Sequence, residues 1–219
     1  MHERPQLNLA ARLPWTVSVV AILILGAIST RTYIEPLGEE WYESWGSSPA
    51  YLMKGDLQRL LSSPVLTPGQ SRFYISLFMA AICVGAAEWL EGTFRAIMTF
   101  LGVHVATLSL MALATSMAMK SSWIWLPSAE ILYHAVDVGP SAGYYGCLGL
   151  VLMRSSPKPL RFVAPVVMVI LLSRLVWSVM TIPEQGRTYS ADLAHAVAFP
   201  LGCIISVFAP RQIRPSPDP

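Results

Sequence analysis

Two side chains in the apolar second half of this chain, Ser141 and His195, have the chemistry of a nucleophile and its base. A serine hydroxyl is a weak nucleophile at neutral pH, and a neutral imidazole nearby can take its proton and pass it to a leaving amine. Ser141 follows a Gly–Pro turn, which can place it at a helix N-terminus, where unpaired N–H groups favour an oxyanion. Such a cluster is also typical of a plain loop between helices, so the surrounding elements must decide.

The composition indicates an integral membrane protein. Of 219 residues, 54% are hydrophobic and only 13% are charged, whereas soluble domains contain about 25% charged residues. The net charge of +2 and the absence of a basic patch with interleaved aromatic residues argue against a nucleic-acid partner. The three cysteines, Cys83, Cys147 and Cys203, show no C-x-x-C spacing, so we expect no metal site, no disulfide framework and no cofactor.

The apolar runs predict an all-α fold, a polytopic bundle of six transmembrane helices. The spans are expected at about 15–30, 72–89, 96–117, 141–153, 162–182 and 191–208. A cleaved signal peptide is the alternative for the first run, but no clean small-x-small site follows it, so we favour an uncleaved span. The predicted parts are a cytoplasmic segment 1–14, a membrane domain 15–210 with a long external loop 31–70, and a cytoplasmic tail 211–219. The distribution of basic residues predicts both termini in the cytoplasm, in a bacterial-type cell inner membrane.

The fourth span is too short to cross a bilayer. A hydrocarbon core of about 30 Å takes about 20 helical residues, and this run has 13 at most, from Ser141 to Met153. Its helix must therefore begin within the membrane, and the non-helical backbone before it must be covered by protein or line a wet cavity. This predicts Ser141 below the membrane surface, in a pocket that other helices shield from lipid.

Small residues on two spans predict a close helix pair that joins the two chemical groups. They are Gly143, Gly146 and Gly149 on the fourth span and Ala198 and Gly202 on the sixth. Small side chains let membrane helices approach closely, and Ala198 and Gly202 lie on the same face as His195. Docking of the two faces would bring His195 beside Ser141. Tyr145, one turn after Ser141, is expected to pack against the imidazole ring.

Other ionisable residues have two interpretations each. Asp192 lies three residues before His195, where it can orient the imidazole or form a structural ion pair with Arg174, and we favour the ion pair. His104 is a single histidine on an apolar helix, which is more typical of a packing residue than of a functional one. Arg59 lies in a candidate amphipathic turn of the long loop, and we expect it to face water or lipid headgroups.

The order of these features resembles the rhomboid family of intramembrane serine proteases. The resemblance covers about residues 55–202. The matching positions are Gly139-x-Ser141 with Tyr145, Gly146 and Gly149 for the serine motif, Ala194–His195 for the last-helix histidine motif, Gln58–Arg59 for the first-loop motif, and Gly85 to Glu88 with Gly92 for the end of the second span. The spacing of Ser141 and His195 is also similar to the family's.

The sequence departs from the rhomboid pattern in the second span. Rhomboids usually carry a histidine and an asparagine there, four residues apart, which help the N–H of the serine to bind the oxyanion. Those places hold Arg72 and Ser76, and the only asparagine of the chain is Asn8. Ala142 also stands where the family prefers glycine. The oxyanion candidates are therefore Ser141 itself, Arg72 and Ser76, which are all hydrogen-bond donors.

The resemblance implies an endopeptidase that cleaves transmembrane segments through a Ser141–His195 dyad. Its expected partners are transmembrane protein substrates or clients and the lipid bilayer. The alternative is an inactive rhomboid-like protein that binds or escorts membrane clients, because the histidine and asparagine of span two are replaced. An unrelated six-helix carrier or scaffold is a third hypothesis. The Gly-x-Ser-x-Gly spacing also matches the α/β-hydrolase elbow, but that elbow needs a preceding strand, and no strand pattern is present.

Overall fold

The computed structural model describes residues 12–120, 126–155, 158–181 and 186–208, and within these ranges it is all-helical. One 3₁₀ turn lies at Ser63–Val65, and the only bridges between extended residues in the described part are isolated ones. The ten α-helices are Pro14–Thr30 (α1), Glu39–Trp45 (α2), Pro49–Met53 (α3), Arg59–Ser62 (α4), Ser71–Glu91 (α5), Thr93–Lys120 (α6), Leu126–His134 (α7), Ser141–Arg154 (α8), Lys158–Thr181 (α9) and Gly186–Phe208 (α10).

Four of these helices are long and apolar enough to cross a membrane. They are α5, α6, the part of α9 from Phe162 to Thr181, and α10. The face of α9 directed away from the protein is apolar, with Val169, Trp177 and Met180 all more than 60% exposed, as expected of a surface that faces lipid. These four helices support the prediction that the chain is a membrane protein. The other two predicted spans are helical as well, but α1 has 17 residues and α8 has 14.

Helix α8 lies at the centre of the bundle. Its buried residues Tyr144, Cys147 and Leu150 form one core with apolar side chains of α1, α5 and α6. Leu152 joins α9 and α10 in a second core. A helix enclosed in this way needs small residues where its neighbours approach, which accounts for its three glycines.

Glu88, near the end of α5, holds the start of α1. Its carboxylate accepts hydrogen bonds from the backbone N–H groups of Trp15 and Thr16 at 3.0 and 2.8 Å. The hydroxyls of Thr16 and Thr93 donate to it as well. The N–H groups that an α-helix leaves unpaired at its start are therefore satisfied by a buried anion from another helix.

The long segment before α5 is more ordered than a loop at the membrane interface, because it contains α2, α3 and α4. The expectation that Arg59 faces water or headgroups is wrong. Its side chain is only 11% exposed, pairs with Asp56 and donates to the carbonyl of Gly46. The guanidinium also lies 3.8 Å from the ring centre of Tyr51. Arg59 thus ties this segment together from within.

Two of the differences from the sequence prediction affect the site. The segment between the third and fourth spans contains α7, and α10 begins at Gly186 rather than at residue 191. The extra turn of α10 carries Arg187, whose contacts with α2 stabilise it. The predicted cytoplasmic tail at 211–219 and most of the N-terminal segment 1–14 lie outside the described residues.

Candidate active site

Ser141 is the first residue of α8, and backbone hydrogen bonds fix the approach to it. Residues 47 and 137 form an antiparallel bridge in which each N–H donates to the other carbonyl at 2.9 Å. The N–H of Gly139 then donates to the carbonyl of Ser63 at 2.9 Å. Gly139 has φ of 141°, a conformation that a side chain would strain. The turn before the serine is therefore held by the long first loop.

The start of α8 offers unpaired backbone donors beside the serine hydroxyl. The first N–H with an intrahelical partner is that of Tyr144, which donates to the carbonyl of Pro140 at 3.1 Å. The N–H groups of residues 141–143 precede it and have no acceptor within the helix. Pro140 provides no side-chain cap. These donors and the dipole of α8 are suited to an oxyanion that forms at Ser141.

The structure brings Ser141 and His195 to one cavity. This cavity, of about 340 Å³, is lined by Ser141 from α8 and His195 from α10. Tyr145 and both oxyanion candidates of α5, Arg72 and Ser76, line it as well. The site residues that the sequence predicted therefore line one cavity. Two of them, Arg72 and His195, are more than a hundred positions apart in the chain.

The imidazole of His195 is positioned by ring packing. Its centroid lies 4.4 Å from that of Tyr145, with the planes inclined by 36°. The side chain is 12% exposed, and neither ring nitrogen has a hydrogen-bond partner among the described residues. The Ser141 hydroxyl is therefore not hydrogen-bonded to His195 in this structure. Resting catalytic dyads are often loose and tighten with substrate.

Asp192 makes the ion pair that the sequence favoured and also approaches the histidine. Its carboxylate accepts from Arg174 at 3.0 Å and from the hydroxyl of Ser178. One of its oxygens, Oδ1, lies 3.8 Å from Nδ1 of His195. Asp192 is 3% exposed, so Arg174 and Ser178 stabilise a buried charge. The same carboxylate can stabilise positive charge on His195 during a reaction.

Close helix contacts hold α10 against α8. A Cβ added to Gly202 would lie 1.9 Å from the carbonyl oxygen of Gly146, and one added to Gly149 would lie 2.3 Å from that of Phe199. Ala198 is fully buried between the two helices and α6. In contrast, the space beside Gly143 is filled by Phe100 of α6. The three glycines of α8 therefore allow close contact with α6 as well as with α10.

Ser76 and Arg72 occupy different parts of the cavity wall. Ser76 is 8% exposed and lines the cavity together with Tyr144. Arg72, one turn nearer the start of α5, is exposed and also lines a second, larger cavity of about 760 Å³. We call this second cavity the vestibule. It is lined by Arg72, Arg187, Glu39 and Tyr42 together with parts of α7.

Arg187 closes one side of the vestibule. It forms a two-point ion pair with Glu39, lies 3.8 Å from the ring centre of Tyr42, and donates to the carbonyl of Val136 at 3.1 Å. Its hydrogen bond holds the pKa of the Glu39 carboxyl below the usual value. The sequence analysis did not select Arg187, because its partners lie in other elements and no local spacing points to them.

A small cavity of about 30 Å³ is also lined by Ser141. Its lining includes Ser63, His104 and Asp137. Nε2 of His104 lies 3.4 Å from the hydroxyl of Ser63, and Nδ1 has no partner within the described part of the chain. His104 thus packs behind the serine and outside the larger cavity. Among the described residues no three metal-ligating side chains come together.

Asp137, between α7 and α8, gives the fold a pH dependence. Burial raises the pKa of its carboxyl from 3.8 to about 7, although the N–H of Val138 and the charge of Arg72 favour ionisation. Between about pH 4 and 7 the native state keeps a proton that the unfolded state has lost, so stability falls as the pH rises through this window. We expect Tm in detergent to fall by a few degrees from pH 5 to 8, and Asp137→Asn to abolish that fall.

The exposed Glu43 provides the matched control for this titration. Glu43→Gln should keep the pH dependence of the parent protein. If Asp137→Asn showed the same fall in Tm between pH 5 and 8 as Glu43→Gln, another group would be responsible.

A scan against protein-family models and searches among curated proteins and solved structures found no match to this chain.

Proposed function

We propose that this chain is a rhomboid-like intramembrane serine endopeptidase that acts through a Ser141–His195 dyad. The observation that carries the proposal is that Ser141 and His195 line one cavity, with the imidazole packed on Tyr145. A nucleophile, a base and a surface that orients the base are the parts that covalent hydrolysis needs.

We also propose that α1 and α8 join the four long helices to make a six-helix bundle. The bundle would lie in a bacterial-type inner membrane, with both termini in the cytoplasm. Helix α8 has 14 residues and is about 21 Å long, shorter than a hydrocarbon core of about 30 Å. A helix of this length, enclosed by its neighbours, would hold Ser141 at a depth where a transmembrane segment can reach it.

The proposed reaction follows the usual course of serine proteolysis. His195 accepts the proton of the Ser141 hydroxyl as the serine oxygen attacks the scissile carbonyl. The tetrahedral oxyanion is stabilised by the N–H of Ser141, and the hydroxyl of Ser76 is near enough to the cavity to assist. The imidazolium then gives its proton to the leaving amine, and Asp192 stabilises the positive charge. Water hydrolyses the acyl-enzyme with His195 again as the base.

The cavity also suits a polypeptide substrate that enters from the side. Ile75 and Ser76 of α5 line one wall, and Arg174 of α9 lines another. A transmembrane segment that unwinds between these helices would present its backbone to Ser141. The apolar exposed face of α9 would meet the rest of the segment within the bilayer.

The second candidate is a protein that binds membrane clients without cleaving them. One observation favours it: Arg72 and Ser76 replace the histidine and asparagine of the rhomboid pattern. Loss of one oxyanion donor costs about 10²–10³ in rate in other serine proteases. A slow enzyme and a client-binding protein are therefore distinguished by measuring the reactivity of Ser141.

A fluorophosphonate probe distinguishes the two candidates. We expect the purified protein in detergent to be labelled at Ser141, because the probe requires a hydroxyl that is activated by a base and an oxyanion site. Labelling should disappear in Ser141→Ala and fall strongly in His195→Gln. Labelling of the parent and of Ser141→Ala to the same extent would overturn the proposal. No labelling, with intact binding of a membrane-helix peptide, would support the client-binding protein.

A further inference from the structure

Charged side chains of both signs line the cavity that holds Ser141. They are Asp137, Asp192 and three arginines, Arg72 from α5, Arg174 from α9 and Arg187 from α10. Among the described residues, no lysine lines either this cavity or the vestibule. A guanidinium recognises a carboxylate or a phosphate with two parallel hydrogen bonds, so the partners of the three arginines determine which of them is available to a ligand.

Two of the three arginines are already paired. Arg174 binds Asp192, with nitrogen–oxygen distances of 3.0 and 3.1 Å. Arg187 uses both terminal nitrogens on Glu39. A bidentate pair of this kind leaves little capacity for another anion, so neither side chain is a good first contact for a charged ligand.

Arg72 differs from both. Its side chain makes no ion pair or hydrogen bond with another side chain in the described part of the protein, whereas Arg174 and Arg187 are both paired. The charge of Arg72 affects the Asp137 carboxyl, but the two form no ion pair. The Asp137 carboxyl accepts from the N–H of Val138 at 2.8 Å. Arg72 is thus an uncommitted guanidinium at the boundary between the vestibule and the cavity of Ser141.

We propose that Arg72 recognises a carboxylate side chain on the polypeptide segment that occupies the cavity, close to the bond that faces Ser141. The inference rests on the proposed function and names the substrate class: membrane segments with an Asp or Glu near the site of attack. Arg72 lies four residues before Ser76 on α5, so it is one turn from the cavity wall beside the serine. An acidic residue one or two positions from the reacting carbonyl would span that distance.

A peptide carboxylate fits this site better than a lipid phosphate. Among the described residues that line the two cavities, Arg72 is the one arginine without an ion pair. Apolar side chains, namely Pro68, Ile75 and Val138, line the cavity together with polar ones. One guanidinium matches one carboxylate in charge and in its two oxygens. The cavity also leads directly to Ser141, which a backbone must reach and a lipid headgroup need not.

Binding to the Ser141→Ala protein tests this inference without requiring cleavage. The probes are fluorescent membrane-helix peptides that carry a single Glu, Gln or Lys, placed in turn at each of three positions beside the presumed scissile bond, measured in nanodiscs of zwitterionic lipid. For at least one position we expect the Glu peptide to bind about tenfold more tightly than the Gln peptide, as a charge-assisted hydrogen bond would give. Arg72→Gln should remove the preference, and Arg72→Glu should transfer it to the Lys peptide.

The matched control is Arg31→Gln. Arg31 is another exposed arginine, paired with Glu35 at the end of α1, and it lines neither cavity. This variant should keep the tenfold preference. The inference is overturned if the parent binds the Glu and Gln peptides within twofold at every position, or if the preference survives Arg72→Gln.

Anionic nanodiscs separate the lipid alternative. If Arg72→Gln weakens both peptides equally, and only in anionic lipid, the anion is a headgroup and the inference is wrong. The test is also independent of the proposed function. A charge preference in Ser141→Ala, together with no cleavage by the parent, would keep the carboxylate site and remove the protease.

Discussion

Ser141→Ala is expected to lower the rate of cleavage of a membrane-helix substrate by at least about 10⁴-fold. In the proposed reaction the Ser141 hydroxyl forms the acyl-enzyme, and serine proteases that lose the nucleophile keep only the residual effect of their oxyanion site and of substrate binding. His195→Ala should give a loss of similar size. Because nucleophile and base act as one unit, the double variant should be no slower than either single variant. The measurement is initial cleavage of a fluorogenic transmembrane substrate in detergent or liposomes.

The control for this experiment is Ser206→Ala. Ser206 is a buried serine near the other end of α10, where its hydroxyl donates to the carbonyl of Cys203 at 2.6 Å. It carries the same hydroxyl group as Ser141 but does not line the cavity. The Ser206→Ala variant should cleave the substrate at a rate within a few-fold of the parent's. Equal rates for the parent, Ser141→Ala and His195→Ala would show that any cleavage comes from a contaminating protease.

The sequence predicted those parts of the molecule that depend on local pattern. Apolar runs indicated helices at all six places, since an apolar stretch of this kind has few other stable conformations in a membrane. The short run from Ser141 and the small residues near His195 indicated a close helix pair. The lining of one cavity by both residues depends on nothing more distant than that pair. Local composition was therefore sufficient to select these two side chains.

Contacts between distant elements could not be predicted in the same way. Arg59 was expected at the surface because the turn that carries it, residues 55–61, mixes polar and apolar residues. Its partners Gly46 and Tyr51 come instead from other elements. Arg187 joins Glu39 across 148 positions. The sequence prediction started α10 five residues too late because the first turn of this helix is polar. In the structure, the ion pair of Arg187 with Glu39 stabilises that turn. Long side chains with several donors can choose among many acceptors, so their partners follow from the tertiary fold.

Of all the substitutions described, Gly202→Ala is expected to lower the free energy of unfolding most. The added Cβ would lie 1.9 Å from the carbonyl oxygen of Gly146 and 2.7 Å from its carbonyl carbon. Both are backbone atoms of α8, so no side-chain rotation relieves the clash and the two helices must separate. Overpacking of a buried contact costs about 1–3 kcal/mol and more where the backbone must move. We expect about 3 kcal/mol or more, which corresponds to a fall in Tm of about 6–12 °C for a chain of this size.

The same substitution should impair the proposed chemistry, because the contact of Gly202 with Gly146 holds the helix of His195 against the helix of Ser141. Fluorophosphonate labelling should therefore fall even at temperatures where Gly202→Ala stays folded. Gly102→Ala is the matched control: Gly102 lies within α6, and a Cβ there would meet nothing within 4 Å. That change should leave labelling intact and keep or raise Tm, since alanine favours a helix over glycine by about 0.5–1 kcal/mol. A Tm for Gly202→Ala within about 2 °C of the parent would mean that α8 and α10 are not packed as described.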